Sequence, residues 1–258
     1  MDKRLLVAQE TILDAGAYLR KHFLKRHHVS IKEDKTVLLG EDLKSEEILM
    51  NGIAKAFPRD TFLTEETETT LNEDSVWVFD PLCGSYSYLR GVETWSISMA
   101  YISGGAYKIG LVYQPYAQNL FFAEQGKGAY MNKERISPSK VATLHDAFVS
   151  IEHGVFLNTT VHLQKLIETI KRLRVGHGSG GELSYVAAGF LDAVVKTDQS
   201  LMHFAGGRAI VEEAGGVFLD FTGNRAPTYV DRTKTTNYIA CANKELAQKI
   251  LQSIDRLK

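Results

Sequence analysis

Leu5, Ala8, Ile12, Ala15, Leu19 and Phe23 recur at steps of three and four along the first two dozen residues, with polar residues between them. That is the period of a helix with one buried stripe, and it predicts an amphipathic helix here. The pattern dissolves in "LKRHHVSIKEDK", a polar stretch that reads as a loop or a short edge segment. A second helix is predicted from Asp42, placed as its N-cap, to Phe57: Leu49, Ile53 and Phe57 share a face, and Pro58 stops it. "DTFLTEE" then reads as a short strand ending in the paired carboxylates Glu65 and Glu66.

The period changes in the middle of the chain. "VWVFD", "TWSISMAYI", "YKIGLVYQP" and "NLFFAEQ" are aromatic or β-branched runs separated by Gly, Pro and Asn, which predicts an antiparallel sheet. Gly104-Gly105 reads as a hairpin turn and "GKGAYMNK" as another glycine-punctuated connection. Beyond residue 140 the pattern alternates. "AFVSIE", "LDAVVKT", "GGVFLD" and "YIACA" read as strands; "TTVHLQKLIETIKRL", "GELSYVAAGF", "FAGGRAIVEEAGG" and "KELAQKILQSIDRL" read as helices. Alternation of this kind implies an α/β layered region. Without a repeat, low-complexity tract or evident linker, the chain reads as one unit, with approximate subdomains 1–140 and 141–258.

Composition narrows the classes of function. The chain has 258 residues, enough for one large core. A formal net charge of -1 supplies no field suited to a polyanion, so nucleic-acid binding has no electrostatic support. Cys83 and Cys241 are too far apart in sequence to frame a disulfide scaffold, which fits a reducing cytoplasm. The N-terminus is charged at once, and no run approaches the ~20 apolar residues a membrane span needs. A soluble cytoplasmic protein is the expectation.

The candidate chemistry begins at "DPLCGSYSYLRG", Asp80 to Gly91. An Asp-Pro leaving a buried apolar run, followed by Gly84, Ser85 and a helix-compatible stretch, has the features of a phosphate and metal site. Together with "FLTEET" (Phe62–Thr67), "WVFDPLCGSYSY" (Trp77–Tyr88) and "MHFAGGRAIVEEAGG" (Met202–Gly216), the chain resembles the inositol monophosphatase family of the fructose-bisphosphatase-like fold. "GKGAYMN" and "YVAAGFLDA" also fit, in the same order as in the family. The resemblance spans nearly the whole chain and implies a layered αβαβα sandwich, an antiparallel N-terminal sheet followed by an α/β region.

It also implies roles. The family hydrolyses phosphomonoesters with two Mg²⁺ ions, one readying water and another steadying the leaving oxygen. Glu65 and Asp80 match carboxylate ligands, with the carbonyl of Leu82 as a further oxygen donor. Ser85 matches the hydroxyl that orients the attacking water. The backbone N–H groups of Gly84 and Ser85 would face the phosphate. Glu182 matches an acidic contact to a substrate hydroxyl, and Lys32 and Asp34 match polar residues of a mobile loop. The resemblance further implies a homodimer acting on a small phosphorylated molecule.

Four positions depart from the family pattern. Cys83 and His203 replace two ligand aspartates, with Met202 replacing the tryptophan beside the second, and Leu39 replaces a threonine in "LLGED". Glu65 and Asp80 alone balance one divalent ion, and Mg²⁺ asks for hard oxygen donors. Cys83, Asp80 and His203 form a set suited to Zn²⁺ or, with a softer preference than Mg²⁺, Mn²⁺. The alternative is that Cys83 is a small buried residue with His203 packed beside it. His22, His27 and His28 read as a solvated face near a helix end; His153 and His177 have no evident partner. "HGSGGE" reads as the turn before a helix, and Glu66, Glu212 and Glu213 as structural or surface residues. Two functions remain: a metal-dependent phosphomonoesterase for a sugar, inositol or nucleotide phosphate, impaired in or lacking two-Mg²⁺ activity, and a pseudophosphatase that binds a phosphorylated ligand or protein without turnover.

Overall fold

The strand Val76–Cys83 is buried along its whole length, and its two faces meet different layers. Trp77 and Phe79 pack with Leu5, Ile12 and Leu19 of the helix Lys3–His22 and with Leu49 and Ile53 of the helix Gly40–Ala56. Val76 and Val78 face the other way, onto Leu183 and Val186 of the helix Ser179–Ala187 and onto Phe204 and Ile210 of the helix Leu201–Ala214. Burial on both faces explains why this strand reads as an unbroken apolar run rather than an alternating one. The computed structural model describes residues 2–31, 37–67, 75–157, 161–176 and 178–256.

Around this strand lies a seven-stranded sheet in simple sequence order: Thr61–Leu63, Val76–Cys83, Ser96–Ser103, Ala106–Gln114, Asn119–Glu124, Gly128–Met131 and Glu134–Ile136. Only the first pair is parallel. Gly104 and Gly105 join two of the strands, with φ of 57° and 71°; two successive positive φ values suit the two-residue hairpin that glycine permits. A second sheet of five strands runs in the order Arg172–Gly176, Phe148–Glu152, Ala193–Ser200, Thr235–Cys241 and Val217–Asp220. Its inner residues Val194, Phe218, Tyr238 and Ala240 close the middle helical layer. On its outer face Val149, Ile151, Val195 and Ile239 meet Leu246 and Ile250 of the helix Lys244–Gln252. The result is the layered αβαβα arrangement that the resemblance implied.

Three local expectations are corrected. The second helix starts at Gly40, so Asp42 lies in its first turn and Leu39 takes the N-cap position. Asp42 Oδ2 reaches back to accept the Leu39 N–H at 2.7 Å, satisfying an orphan donor from inside the helix. The helix expected across "TTVHLQKLIETIKRL" is confined to Gln164–Thr169, with residues 158–160 outside the described residues. Its C-terminal part instead becomes the strand Arg172–Gly176, pairing in parallel with Phe148–Glu152, so a sheet partner overrides the local helical pattern. The last helix ends at Gln252, and Asp255–Arg256 pairs with Val161–His162.

The helix Leu201–Ala214 approaches the first sheet unusually closely. A Cβ on Gly206 would lie 2.5 Å from Ser98 Oγ and 2.6 Å from the Leu111 carbonyl, and one on Gly110 2.5 Å from Ala209 Cβ. These two glycines therefore set the height at which His203, in the first turn of that helix, stands over the sheet. Gly206→Ala should lower unfolding stability by about 1–3 kcal/mol through overpacking, measured by urea denaturation; an unchanged midpoint would show that the helix can lift without cost.

Candidate active site

Asp80 sits near the end of the buried central strand and is 1% exposed. Past it the ladder with Ser96–Ser103 shifts register between Asp80 and Cys83, where Pro81 has no N–H to donate. The freed Pro81 carbonyl is taken by Ser45 Oγ at 2.7 Å. Gly84 then turns the chain with φ of 97°, a left-handed conformation that glycine adopts without strain. The short helix Ser85–Leu89 follows. This sequence of strand, proline and glycine aims Asp80, the Leu82 carbonyl and Ser85 into one region.

Three groups from distant parts of the chain meet there. A carboxylate oxygen of Glu65, one of Asp80 and a ring nitrogen of His203 all lie within 4.8 Å of one another. His203 Nδ1 is 3.0 Å from Asp80 Oδ2. The other oxygen, Asp80 Oδ1, is buried and takes no N–H or O–H donor among the described residues, and the Cys83 thiol lies beside the carboxylate. Glu65 lies just past Thr61–Leu63, where its carbonyl accepts from Arg232 at 2.8 Å. The adjoining Glu66 N–H donates to Glu46 Oε2 of the second helix at 3.0 Å. Burial alone would lower the His203 pKa, but the hydrogen bond and charge of Asp80, with Glu65 and Glu152 behind it, push it up to about 9.

Cys83 does not belong to this three-group set among the described residues. Its thiol is buried, and burial first, then the charge of Asp80, push it well above the usual thiol range. It is a packed side chain beside Asp80 at the buried end of the strand. Among the described residues Asp80 and His203 meet together with Glu65, and Cys83 lies beside Asp80 without joining that set.

The second helix contributes a residue whose role the sequence did not disclose. Ser85 Oγ donates to Asp42 Oδ1 at 2.9 Å and lies 3.0 Å from the Leu82 carbonyl. Burial pushes Asp42 up to about 8, against the lowering effect of its hydrogen bonds from Leu39 and Ser85 and with help from Glu65 and Glu66. The available signal was Asp42 itself, one carboxylate at a helix start in a segment already matched to the family; it was read as a cap.

Glu182 is placed differently from a free contact at the substrate edge. It is buried, 2.7 Å from the ammonium of Lys196, and it also accepts from Ser150 Oγ. Lys196 is wholly buried within an apolar strand, and a buried ammonium requires a nearby carboxylate; "VVKT" carried that signal. His27 is likewise not part of a solvated face. Its side chain is 5% exposed, Nδ1 lies 2.9 Å from Glu41 Oε1, and the ring packs near Tyr88. His22 Nδ1 lies 2.7 Å from the Tyr18 carbonyl. Lys32, Asp34 and His177 lie outside the described residues.

The donors fit one divalent ion. Glu65, Asp80 with its unclaimed oxygen, and the Leu82 carbonyl are hard oxygen groups of the kind Mg²⁺ or Mn²⁺ takes, and the nearby imidazole broadens the set toward Zn²⁺. At the two remaining positions of the family pattern stand the buried Cys83 thiol and the His203 imidazole, which is bonded to Asp80.

Comparison with known proteins agrees with this fold. The model of the inositol monophosphatase family matches residues 1–258. A Thermotoga maritima protein named fructose-1,6-bisphosphatase/inositol-1-monophosphatase is 30% identical over 228 residues, covering 88% of each chain. A Pasteurella multocida protein named Nus factor SuhB is 28% identical over 263 residues, covering 98% of this chain and 96% of its own. The solved structure of a Thermotoga maritima IMPase superposes with a TM-score of 0.88 at 27% identity, covering 98% of this chain and 96% of that one. With the family model matched from end to end and the site built on its motif segments, this chain belongs to the inositol monophosphatase family.

Proposed function

We propose that the chain is a phosphomonoesterase for a small phosphorylated sugar, inositol or nucleotide, working with a single divalent cation and impaired in or lacking two-Mg²⁺ activity. Glu65, Asp80 and the Leu82 carbonyl hold that cation in this reading. A cation bound there supplies Lewis acidity toward water and a phosphoryl oxygen. The backbone N–H groups of Gly84 and Ser85 orient the phosphate. The observation that carries the proposal is the Ser85–Asp42 hydrogen bond beside the unclaimed oxygen of Asp80.

Ser85 Oγ donates to Asp42, so its lone pairs accept a hydrogen bond from an attacking water. As that water loses its proton, Ser85 passes one on to Asp42 Oδ1. Only ionised Asp42 can take this proton, and with its value raised to about 8 that form fills as pH rises toward and past 8, so turnover should climb through that range. His203 stands where the family has a ligand aspartate and bonds Asp80 instead. Two carboxylates and one ion leave the cluster near charge balance; a second ion would not be neutralised.

The same Asp80–His203 contact favours a second reading, a non-catalytic member that binds a phosphorylated ligand or a protein. The relative named Nus factor SuhB does not bear a phosphatase name.

Phosphate release from a panel of sugar, inositol and nucleotide monophosphates, run separately in Mg²⁺, Mn²⁺ and Zn²⁺, distinguishes the two. The wild type should turn over at least one monoester with a dependence on one ion, and chelation with EDTA should abolish it. The Cys83→Asp, His203→Asp double variant should be faster in Mg²⁺ by about 10–100-fold. A wild type silent in every metal beside an active double variant would establish the non-catalytic reading.

Asp42→Asn keeps the helix-start hydrogen bond but cannot take the proton, so turnover should fall by about 10²–10⁴. The variant also has a stability signature. Between the ordinary carboxylate range, about 4, and its raised value of about 8, native Asp42 holds a proton that the unfolded chain has released. Stability therefore falls as pH rises through that window. Metal-free Asp42→Asn should melt above the wild type at pH 8, with the gap closing toward pH 4, by scanning fluorimetry; a gap independent of pH would mean that Asp42 ionises normally.

A further inference from the structure

The peptide that follows Glu65 is gripped at both edges. The Glu65 carbonyl and the Glu66 N–H belong to one planar trans unit and point to opposite sides of it. Arg232 Nη2 donates to the carbonyl at 2.8 Å, and Glu46 Oε2 of the helix Gly40–Ala56 accepts from the N–H at 3.0 Å. Both hydrogen bonds involve a charged partner, a guanidinium on the acceptor and a carboxylate on the donor, and so belong to the stronger class. Thr64, wholly buried, closes the turn: its hydroxyl accepts from the Thr67 N–H and donates to the Thr67 carbonyl. A peptide plane fixed in this way restricts rotation about the Glu65 Cα–C bond, and thereby the direction in which the Glu65 side chain leaves the turn.

The segment that delivers Arg232 is prepared in advance. Arg208, a buried guanidinium, donates to the carbonyls of Ala226 and Pro227 at 2.6 and 3.1 Å. That fixes the base of the stretch leading into the strand Thr235–Cys241. Asp231 Oδ1 then accepts from the N–H and the hydroxyl of Thr233 at 2.9 and 2.7 Å, a turn held by its own side chain around Arg232. Little chain freedom is left to lose when the guanidinium meets the carbonyl. The two grips come from 20 positions before Glu66 and 167 positions after Glu65, so they join distant parts of the chain at the turn that carries Glu65. A guanidinium near the carboxylate cluster also repels a cation. Positioning and repulsion therefore act in opposite directions, and the sign of a substitution separates them.

We infer that Arg232 is a positioning residue: with Glu46 it clamps the Glu65–Glu66 peptide and so presents the Glu65 carboxylate to Asp80 and His203. Its bearing on cation affinity rests on the single-cation reading above. Arg232 acts through the backbone of Glu65, and partners that orient a ligand in this way are typically worth 10–100-fold in metal affinity.

Two measurements on the full chain bear on the clamp: Mn²⁺ binding to metal-free protein, followed by electron paramagnetic resonance, and amide hydrogen exchange of the segment Phe62–Thr67 without metal. Arg232→Met removes the donor and the charge together; it should weaken Mn²⁺ binding about tenfold and speed exchange in the segment. Arg232→Lys keeps the charge and one donor but loses the planar fork, and should fall between Arg232→Met and the wild type in both. Lys234, 3.9 Å from Asp231 on the same segment, takes no part in the clamp, and Lys234→Gln should match the wild type. Unchanged exchange in Arg232→Met, or Mn²⁺ binding that is unchanged or tighter, would overturn the inference, the last by showing that the guanidinium acts only as a repelling charge. Equal weakening in Lys234→Gln would overturn it too, by assigning the effect to the segment as a whole. The expected binding and exchange pattern in a protein without turnover in any metal removes only the phosphatase reading. Turnover with an unmoved Mn²⁺ affinity in Arg232→Met removes only the clamp. A wild type that binds no Mn²⁺ removes the cation reading, and exchange alone then decides the clamp.

Discussion

Asp80 is a carboxylate held at 1% exposure at the end of a strand covered on both faces. Ionised there, it must be met by donors or positive charge, because the layers that bury it also exclude water. His203 answers one oxygen, and among the described residues the other has no N–H or O–H donor, with the Cys83 thiol beside the carboxylate. Much of the site's geometry follows from this demand. The glycine contacts at Gly206 and Gly110 set the height of the helix that carries His203. The Glu46–Glu66 hydrogen bond holds the turn that carries Glu65. An aspartate with one free oxygen beside a second carboxylate is an attractive place for a single cation.

The same economy of charge explains the neighbouring substitutions. Cys83 adds volume without charge: burial and the adjacent Asp80 both oppose its ionisation. His203 replaces a would-be anion with an imidazole whose protonated form the Asp80 carboxylate stabilises. Deeper in the second sheet, Lys196 and Glu182 form a wholly buried ion pair, and the Ser150 hydroxyl adds a hydrogen bond. Such a pair gains little over apolar residues of the same size, but removing one partner leaves a stranded charge and costs about 3–5 kcal/mol. Its effect is to fix Glu182 at the start of the helix Ser179–Ala187.

Much of the fold was legible from periodicity because the strongest patterns coincide with the thickest layers. The stripe Leu5–Phe23, the apolar run at Val76 and the Gly104-Gly105 hairpin each form the expected element. Misreadings fall where a tertiary partner outweighs a local preference. "IKRLRVG" looks helical until the edge of the second sheet claims Arg172–Gly176 as a strand. Asp42 resembles a cap until Leu39 N–H and Ser85 Oγ are seen to share its two oxygens. His27 looks solvated until Glu41 and Tyr88 enclose it.

Residue identities alone determined the family and the arithmetic of charge: two carboxylates where the motif has four, a thiol and an imidazole in place of the others. Those conclusions need only composition and spacing, since hydrophobic period and turn chemistry act over a few residues. Which of these groups touch was decided by the tertiary structure. Asp80 and His203 are 123 positions apart, and Asp42 and Ser85 are 43 apart. Whether such groups meet depends on how close a helix can approach a sheet and which buried polar atoms remain unmatched. Those are properties of packing, and no local pattern in the chain encodes them.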